Sequence, residues 1–405
     1  MSKVYIVDGT RTAVGSFGGA LSKVRPDDMG AHVIKGLLDK VDGIEGSDID
    51  QVVLGCANQA GEDNRNVARM SSLLSGLPYS VPAETVNILC ASGMAAVINA
   101  SNSIFSDNGE AIVAGGVESM SRAPYALSKS ASPFGRDSQI FDTSIGWRFV
   151  NPLMKEMYGV DSMGETAENV AEKYNINRTD QDQFAFNSQM KAIDARSSGR
   201  LNKEILPVSI PQRKGDPIVV DQDEFIKPTT TIEILSKLRT AFKKQGTVTA
   251  GNSSGINDGA AALLIASDKF ITKHQLKPMA CILSSAVVGV EPKYMGIGPV
   301  NASIKALKKA GLSIDDMDVI ELNEAFAAQS LACIRELGMK DDDPRVNPNG
   351  GAIALGHPLG MSGARLLLTA ATELKLNNKR YALCTMCVGV GQGYAVVIEN
   401  ENFLK

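Results

Sequence analysis

The sequence predicts an α/β protein in which helices cover a largely parallel sheet. Short apolar strands alternate with helical segments in the first third of the chain and again after residue 255. Between about residues 124 and 247 this alternation stops. The two alternating regions also echo each other weakly, which indicates two related halves separated by an insertion.

The first alternating region contains four apolar strands with helices between them. We predict strands over residues 4–7, 51–55, 85–89 and 111–115, and helices over residues 30–40, 67–74 and 93–105. Parallel neighbours need a crossover connection, which is usually a helix, and this order of elements supplies one each time.

The insertion has a different character. It contains loops rich in serine, proline and glycine, the single tryptophan Trp147, and charged helical stretches over residues 165–173 and 179–195. A long insertion with helices of its own is more suited to covering a site than to extending a sheet. Its basic residues are expected to form mostly a solvated face, although one or two could contact phosphates: Arg213, Lys214, Lys227, Lys243 and Lys244.

The last region returns to alternation. We predict strands over residues 260–267, 280–290 and 319–321, helices over 302–310, 323–337 and 362–374, and an antiparallel pair over 381–385 and 393–399. We therefore expect a first half over residues 1–123, an inserted domain over residues 124–248, a return to the first half over residues 249–275 and a second half over residues 276–405.

Composition narrows the classes of partner. The chain has 405 residues and a formal net charge of -4, so the basic excess typical of nucleic-acid binding is missing. No apolar run reaches membrane-spanning length, and six cysteines do not form a disulfide-rich pattern. The sequence starts directly as a strand without a leader, so we expect a cytoplasmic protein, with a trimmed organellar form as the alternative.

Cys90 lies where a predicted strand meets a predicted helix. Free backbone N–H groups at a helix N-terminus favour a thiolate, which suits a nucleophile working near pH 7. The alternative is a small buried residue at a tight turn.

His357 is the histidine best placed for chemistry. It lies between Gly356 and Pro358, at the start of a predicted helix, which favours a base or hydrogen-bond donor over a core residue. The other two histidines, His32 and His274, are expected to be structural.

Two further segments carry reactive groups. Cys384 and Cys387 form a Cys-x-x-Cys motif, but no second pair accompanies it in the sequence, so we expect no metal. The glycine-rich turn after Cys387 would direct backbone N–H groups at an oxyanion.

Asn323 ends a predicted strand and starts a predicted helix, so it is expected to be an N-cap that could also hold a water or polarise a carbonyl.

Together these blocks resemble the thiolase family. Four motifs carry the resemblance, in the family's order and spacing: Leu-Cys-Ala-Ser-Gly around Cys90, Asn-Glu-Ala-Phe from Asn323, Gly-His-Pro around His357 and Cys-x-Gly-x-Gly from Cys387. The similarity runs from residue 5 to residue 398. It implies the thiolase fold, with two duplicated βαβαβαββ halves in a five-layered αβαβα core, and an inserted loop domain that covers coenzyme A. It also implies acyl-CoA thioesters as substrates, no permanently bound cofactor, and a homodimer or homotetramer.

The resemblance implies a role for each motif residue. Cys90 is the nucleophile that becomes acylated. His357 takes the Cys90 proton and, with a water held by Asn323, stabilises an enolate oxygen. Cys387 acts as acid and base at the α-carbon, and the backbone N–H groups of Cys90 and Gly389 form a second oxyanion hole.

For coenzyme A, the resemblance implies that Ser254 contacts the pantetheine arm, while Lys227 stands where some members carry arginine. Met163 and Met295 match pocket-lining methionines of acetoacetyl-CoA thiolases. Ser162 replaces a histidine that precedes Met163 in some of those enzymes, which puts pantetheine contacts there in doubt.

Other stretches, over residues 55–69, 146–154 and 382–393, resemble the thiolases that act on β-ketoadipyl-CoA in aromatic degradation. A purely apolar pocket would desolvate the adipyl carboxylate, so we expect Arg65 or Arg148 to pair with it, the alternative being an ordinary surface or dimer-contact arginine. Gly164 is a departure, because that subgroup often has proline there, and Met163-Gly164 is closer to the acetoacetyl-CoA type. An acetoacetyl-CoA thiolase of short-chain metabolism is therefore the alternative activity.

Two rival classes are disfavoured by the residues present. A decarboxylating ketosynthase would be expected to show two histidines, or histidine and asparagine, in place of His357 and Cys387. A non-catalytic acyl-CoA-binding protein of the same fold would tolerate loss of the cysteines.

Overall fold

The computed structural model describes residues 3–404, which contain fourteen strands and twelve α-helices. The strands are β1 (Val4–Arg11), β2 (Gly15–Ser16), β3 (Gln51–Gly55), β4 (Ala83–Val86), β5 (Ala111–Ser119), β6 (Tyr125–Leu127), β7 (Ile140–Asp142), β8 (Val208–Ile210), β9 (Ile218–Val220), β10 (Asn257–Ser267), β11 (Ala280–Gly289), β12 (Val319–Leu322), β13 (Tyr381–Val388) and β14 (Gln392–Glu399). The helices are α1 (Pro26–Lys40), α2 (Val67–Leu74), α3 (Ser92–Phe105), α4 (Pro152–Tyr158), α5 (Met163–Lys173), α6 (Arg178–Ser197), α7 (Ile232–Ser236), α8 (Asp268–His274), α9 (Gly298–Ala310), α10 (Ala327–Glu336), α11 (Ala352–Leu355) and α12 (Leu359–Leu376). Within the described range, none of these helices has the length and apolar character needed to cross a membrane.

Ten strands form one mixed sheet in the order β12-β13-β14-β11-β1-β10-β5-β3-β4, with β2 paired to β10. Six of its pairings are antiparallel and three are parallel. The prediction of a largely parallel sheet is therefore wrong. After the insertion, β10 enters between β1 and β5 and runs antiparallel to both, which a local alternation of strands and helices does not reveal.

The helices divide the sheet into layers. Helices α3 and α12 pack against each other between the two parts of the sheet, and residues 360–374 of α12 are all buried. Helices α1 and α2 cover the outer face of the first half, and α9 and α10 cover the second half. The molecule therefore has the layer order αβαβα, and the two central helices follow Cys90 and His357 in the two halves, as the internal echo predicts.

The insertion carries two short hairpins, β6–β7 and β8–β9, and helices α4 to α7. A fully buried charge cluster joins it to the core. The guanidinium of Arg11 in β1 donates to Asp223 at 2.7 and 2.9 Å and to Glu204 at 3.1 and 3.2 Å. Because these ions are out of water, each needs the others as partners.

Two element boundaries differ from the predictions at the places where chemistry is expected. Strand β4 ends at Val86, and residues Leu89–Ala91 form a 3-10 turn rather than the end of a strand. Asn323 is not an N-cap, because α10 begins at Ala327 with Phe326 as its N-cap. The backbone N–H of Asn323 donates to Thr385 O at 3.0 Å, which continues the pairing of β12 with β13. Asn323 therefore extends the strand, and α10 begins four residues later.

Candidate active site

The turn before α3 holds Cys90 in a fixed position. Ser92 Oγ accepts a hydrogen bond from Ile88 N at 2.9 Å and donates to Leu89 O at 2.6 Å. Asn87 Oδ1 accepts from Leu89 N at 3.0 Å, and Leu89 has a φ of 48°, which a residue with a side chain rarely adopts. The backbone strain at Leu89 places Cys90 at the start of the helix.

Burial favours the neutral thiol of Cys90 over the thiolate. Burial raises the pKa of the Cys90 thiol to about 11, and a hydrogen bond from the backbone of Gly389 opposes this only in part. The expectation that the helix N-terminus keeps a thiolate is therefore wrong here, because desolvation outweighs the helix end.

His357 is held in one tautomer by the first turn of α12. Its backbone N–H donates to Asn257 Oδ1 at 2.9 Å, after Gly356 has turned the chain with a φ of 103°. Ser362 Oγ donates its proton to Pro358 O at 2.8 Å and lies 2.6 Å from His357 Nδ1. With the serine proton directed at Pro358 O, the serine oxygen accepts from Nδ1–H, and we assign this tautomer, which leaves Nε2 unprotonated.

Asn323 contacts the other ring nitrogen directly. Its Nδ2 lies 3.3 Å from His357 Nε2, and its Oδ1 is buried without a hydrogen-bond partner among residues 3–404. Burial, and secondarily the charge of Arg365, lowers the pKa of His357 to about 3. The imidazole is therefore neutral at working pH, with Nε2 as its basic atom.

Cys387 and Gly389 come from the end of β13. Cys387 is fully buried, and burial raises its thiol pKa, with further contributions from Cys90 and Cys333. The backbone of Gly389 lies near enough to Cys90 to oppose the rise of its pKa, and the turn of Cys90 packs against both β13 and α12. The structure thus brings together the Cys90, His357–Asn323 and Cys387–Gly389 segments, which are distant in the sequence.

Close backbone contacts fix these segments relative to each other. A Cβ on Gly116 would collide with Gly360 O, and a Cβ on Gly93 would lie 2.5 Å from the same oxygen. A Cβ on Gly360 would lie 2.6 Å from Gly55 O. We call Gly55, Gly93, Gly116 and Gly360 the glycine junction, because they let β3, β5, α3 and α12 meet backbone to backbone.

The predicted pocket methionines lie beside this centre. Met163 begins α5, and its Sδ lies 3.7 Å from where a Gly389 Cβ would be. Met295 is 2% exposed, in the turn Pro292–Ile297 that packs against α5. Ser162, which stands in place of a histidine, is the N-cap of α5 and forms a capping box with Glu165.

The structure explains why glycine rather than a larger residue occupies position 164. A Cβ at this position would collide with the ring of Phe242, which also meets Phe326 edge to face at 6.2 Å. Proline at residue 164 therefore requires that the Phe242 ring move.

The predicted coenzyme A residues lie on segments near the motif blocks. Ser254 N donates to Ala325 O at 3.0 Å, which ties it to the Asn-Glu-Ala-Phe block. Lys227 is exposed, its backbone N donates to Gln189 Oε1 at 2.9 Å, and its Nζ lies 4.6 Å from the centre of the Phe225 ring.

The two candidate carboxylate partners differ in setting. Arg65 is exposed, with a φ of 64°, in the loop before α2. Arg148 is half-buried, and its guanidinium donates to Gly146 O at 3.3 Å. The neighbouring Trp147 donates its Nε1–H to Asp161 O at 3.2 Å, which brings the Arg148 loop close to the start of α5.

The Cys-x-x-Cys motif does not form a shared site. Cys384 packs against α3 and α12 in the core between the two parts of the sheet, whereas Cys387 packs with residues of the outer layer around α10. Their side chains point to opposite faces because they are three residues apart on one strand. One other set of possible ligand groups, Cys56, Asp63 and Glu118, occurs within residues 3–404, and all three already bind backbone atoms.

Sequence reasoning missed the residues that support the motifs. Ser362 and Asn257 orient His357, and Glu118 binds the N-terminal turn of α12. Glu118 could have been noticed in the sequence, because it is a charged residue at the end of the apolar strand β5. The sequence gives a weaker indication for Ser362, whose hydroxyl follows His357 by five residues.

Comparisons with known proteins agree with this geometry. Residues 4–269 match the thiolase N-terminal domain family and residues 276–400 the thiolase C-terminal domain family. The chain is 57% identical over 399 residues to a beta-ketoadipyl-CoA thiolase of Acinetobacter baylyi, covering 98% of this chain and 100% of the relative. It is 57% identical, with the same coverage, to the 3-oxoadipyl-CoA/3-oxo-5,6-dehydrosuberyl-CoA thiolase of Escherichia coli K12, and 48% identical to an acetyl-CoA acetyltransferase of Chromobacterium violaceum, covering 98% of this chain and 99% of that relative.

The solved structures give the same result. The acetyl-CoA acetyltransferase of Bacillus anthracis superposes with a TM-score of 0.92 at 38% identity, covering 98% of this chain and 99% of that one. These matches confirm the predicted fold and acyltransferase class, and the chain belongs to the thiolase family.

Proposed function

We propose that this chain cleaves 3-oxoadipyl-CoA with coenzyme A, giving acetyl-CoA and a four-carbon acyl-CoA, and that the reverse condensation uses the same residues. The observation that carries the chemistry is a buried Cys90 thiol in a turn that packs against both β13 and α12, whose first turn orients a neutral His357. The relatives named for beta-ketoadipyl-CoA support the choice of substrate.

In the first half of the cycle, His357 Nε2 takes the Cys90 proton and the sulfur attacks the 3-oxo carbon. The C2–C3 bond then breaks, and its electron pair forms the enolate of acetyl-CoA. His357 Nε2–H and a water held by Asn323 donate to the enolate oxygen. The Cys387 thiol gives its proton to C2, which releases acetyl-CoA and leaves Cys90 acylated.

In the second half, the Cys387 thiolate takes the proton of the incoming coenzyme A thiol. The coenzyme A sulfur attacks the acyl group, and the N–H groups of Cys90 and Gly389 stabilise the tetrahedral oxyanion. Collapse returns the His357 proton to the departing Cys90 sulfur. Both cysteines and the histidine then have their starting protons.

A buried, neutral pair suits this cycle. Because both the Cys90 thiol and the His357 imidazole are uncharged before substrate binds, no ion pair has to be maintained in the dry site. Proton transfer from Cys90 to His357 occurs only when a bound thioester can take up the negative charge on its oxygen. Thiolate formation is therefore linked to substrate binding.

The substrate carboxylate needs a partner at the far end of the acyl pocket. Of the two candidates, the Arg148 loop is tied by Trp147 to residues beside Met163, which favours Arg148 over the exposed Arg65. An arginine–carboxylate hydrogen bond contributes about 1.5–3 kcal/mol, or roughly 10- to 150-fold in discrimination.

The alternative activity is that of an acetoacetyl-CoA thiolase. Gly164 favours it, and so does the 48% identity to an acetyl-CoA acetyltransferase. In that case the acyl pocket needs no carboxylate partner.

We assign Ser254 and Lys227 to the coenzyme A arm, and Met163 and Met295 to the lining of the substrate pocket. We also infer a homodimer or homotetramer located in the cytoplasm, and we retain the division into residues 1–123, 124–248, 249–275 and 276–405.

The deciding experiment compares kcat/KM for 3-oxoadipyl-CoA, acetoacetyl-CoA and a medium-chain 3-oxoacyl-CoA with free coenzyme A. We expect 3-oxoadipyl-CoA to give the highest value, and Arg148→Ala to lower it roughly 10- to 150-fold with little effect on acetoacetyl-CoA. Arg65→Ala is the matched comparison. A preference for acetoacetyl-CoA would support the alternative, and retained turnover in Cys90→Ala would refute the mechanism.

A further inference from the structure

Glu118 holds a buried carboxylate between the two halves of the chain. Its side chain lies at the end of β5 and is 1% exposed. One oxygen accepts from Ala57 N at 2.9 Å and from Gly360 N at 2.8 Å, and the other accepts from Asn58 N at 2.9 Å. The three donors belong to two separate segments, the loop after β3 and the first turn of α12.

One arm of this hydrogen-bond network leads to the nucleophile. Ala57 O accepts from Asn87 Nδ2 at 3.0 Å, and Asn87 Oδ1 accepts from Leu89 N at 3.0 Å. Leu89 is the residue before Cys90 and has a left-handed backbone conformation. The position of the Ala57 loop therefore sets the turn that presents the Cys90 sulfur.

The other arm leads to the base. Gly360 follows His357 by three residues, and Ser362 in the same turn accepts the Nδ1 proton of the ring. A carboxylate that fixes the Gly360 N–H therefore fixes the turn that orients the imidazole. The helix N-terminus also favours a negative charge at this point.

We propose that Glu118 is a positioning residue for acyl transfer, which aligns Cys90 with His357 by holding the turn of each through hydrogen bonds to backbone N–H groups. This inference rests on the proposed thiolase chemistry. The hydrogen bonds of the two Glu118 oxygens are to backbone N–H groups. Burial raises the pKa of Glu118 to about 7, and the three backbone N–H donors oppose this by stabilising the carboxylate. A neutral amide of the same length offers one acceptor oxygen and an NH2 group that repels donors.

The test is Glu118→Gln, with Glu110→Gln as the matched control. Glu110 is exposed and lies just before the opposite end of the same strand. We expect Glu118→Gln to slow acetylation of Cys90 by acetyl-CoA in single-turnover experiments about 10- to 100-fold, while KM for coenzyme A changes less than about 2-fold. Glu110→Gln should acetylate at the wild-type rate.

NMR of the histidine rings measures the tautomer of His357, which should not change if Glu118 only stabilises the fold. The chain has three histidines, so ring-labelled protein gives few signals, and His357→Asn assigns the one that matters. We expect a single Nδ1–H tautomer for His357 in the wild type and a mixture of both tautomers in Glu118→Gln. An unchanged tautomer together with an unchanged acetylation rate would overturn the proposal.

A second variant covers the case in which Glu118→Gln does not fold. Asn87→Ala cuts the arm to Cys90 at an exposed residue and leaves the buried carboxylate in place. It should slow acetylation about 10-fold, and a wild-type rate would refute the role of this arm. If wild-type protein itself forms no acyl-Cys90, the proposed function fails; if wild type acylates and both variants match it, only the inference about Glu118 fails.

Discussion

Replacing Ser362 with alanine tests whether the tautomer of His357 controls acylation. In the wild type the serine oxygen accepts the Nδ1 proton at 2.6 Å in a fully buried setting. The alanine variant leaves that N–H without its acceptor, which costs about 1–3 kcal/mol. The ring then favours the tautomer with the proton on Nε2, which cannot take the thiol proton of Cys90. The cost corresponds to roughly a 5- to 150-fold slower acylation.

The assay is single-turnover acylation of the enzyme by acetyl-CoA, followed by intact mass, together with kcat and KM for thiolysis. Ser303→Ala is the matched control, because Ser303 is equally buried in the outer helix α9, and its hydroxyl has no partner within the described part of the chain. We expect Ser362→Ala to lower the acylation rate and kcat while Ser303→Ala does not. Wild-type acylation in Ser362→Ala would show that the serine does not set the protonation state of the imidazole.

Three further predictions follow from buried groups. Asp223→Ala leaves the Arg11 guanidinium short of a buried partner and should lower the free energy of unfolding by about 3–5 kcal/mol in urea titrations; a loss below 1 kcal/mol would contradict the view that this pair anchors the insertion. The folded-state pKa of His357, about 3, lies below its unfolded value of about 6.5, so the unfolded chain binds the extra proton between these values and stability falls as the pH drops through that window. From pH 7.5 to 4.5 the wild type should lose up to about 3 kcal/mol more than His357→Asn, and an equal loss would refute a neutral buried ring. Cys384→Ala should retain thiolysis within about 3-fold while Cys387→Ala loses at least about 100-fold, since only the second supplies the α-carbon proton; similar losses in both would contradict their placement on opposite faces of β13.

Local sequence pattern predicted the elements well where the chain pairs with near neighbours. The predicted bounds of β3 and α2 coincide with those observed, because each is a short apolar or amphipathic segment. The direction of the strands was not predictable in this way. The antiparallel partner of β5 is β10, which is more than a hundred residues away in the sequence. The sequence of an apolar strand does not indicate whether its neighbour runs parallel or antiparallel.

Local sequence settings indicated candidate reactive residues, but they did not predict the effect of burial on the pKa values of those residues. The sequence places Cys90 at a helix start, which favours a thiolate; only the packed structure reveals that burial has the larger effect. Asn323 was expected to cap a helix, yet its backbone continues a strand pairing and its side chain meets His357. Both differences arise from tertiary contacts between distant segments.

The glycine junction has a consequence for how activity appears during folding. Gly360 of the second half lies against Gly55 and Gly116 of the first half, with no side chains between the backbones. The candidate site, which takes Cys90 from the first half and His357 and Cys387 from the second, can therefore form only after the two halves have docked. Recovery of turnover during refolding should report this docking event, and should lag behind any spectroscopic signal that records secondary structure within either half alone.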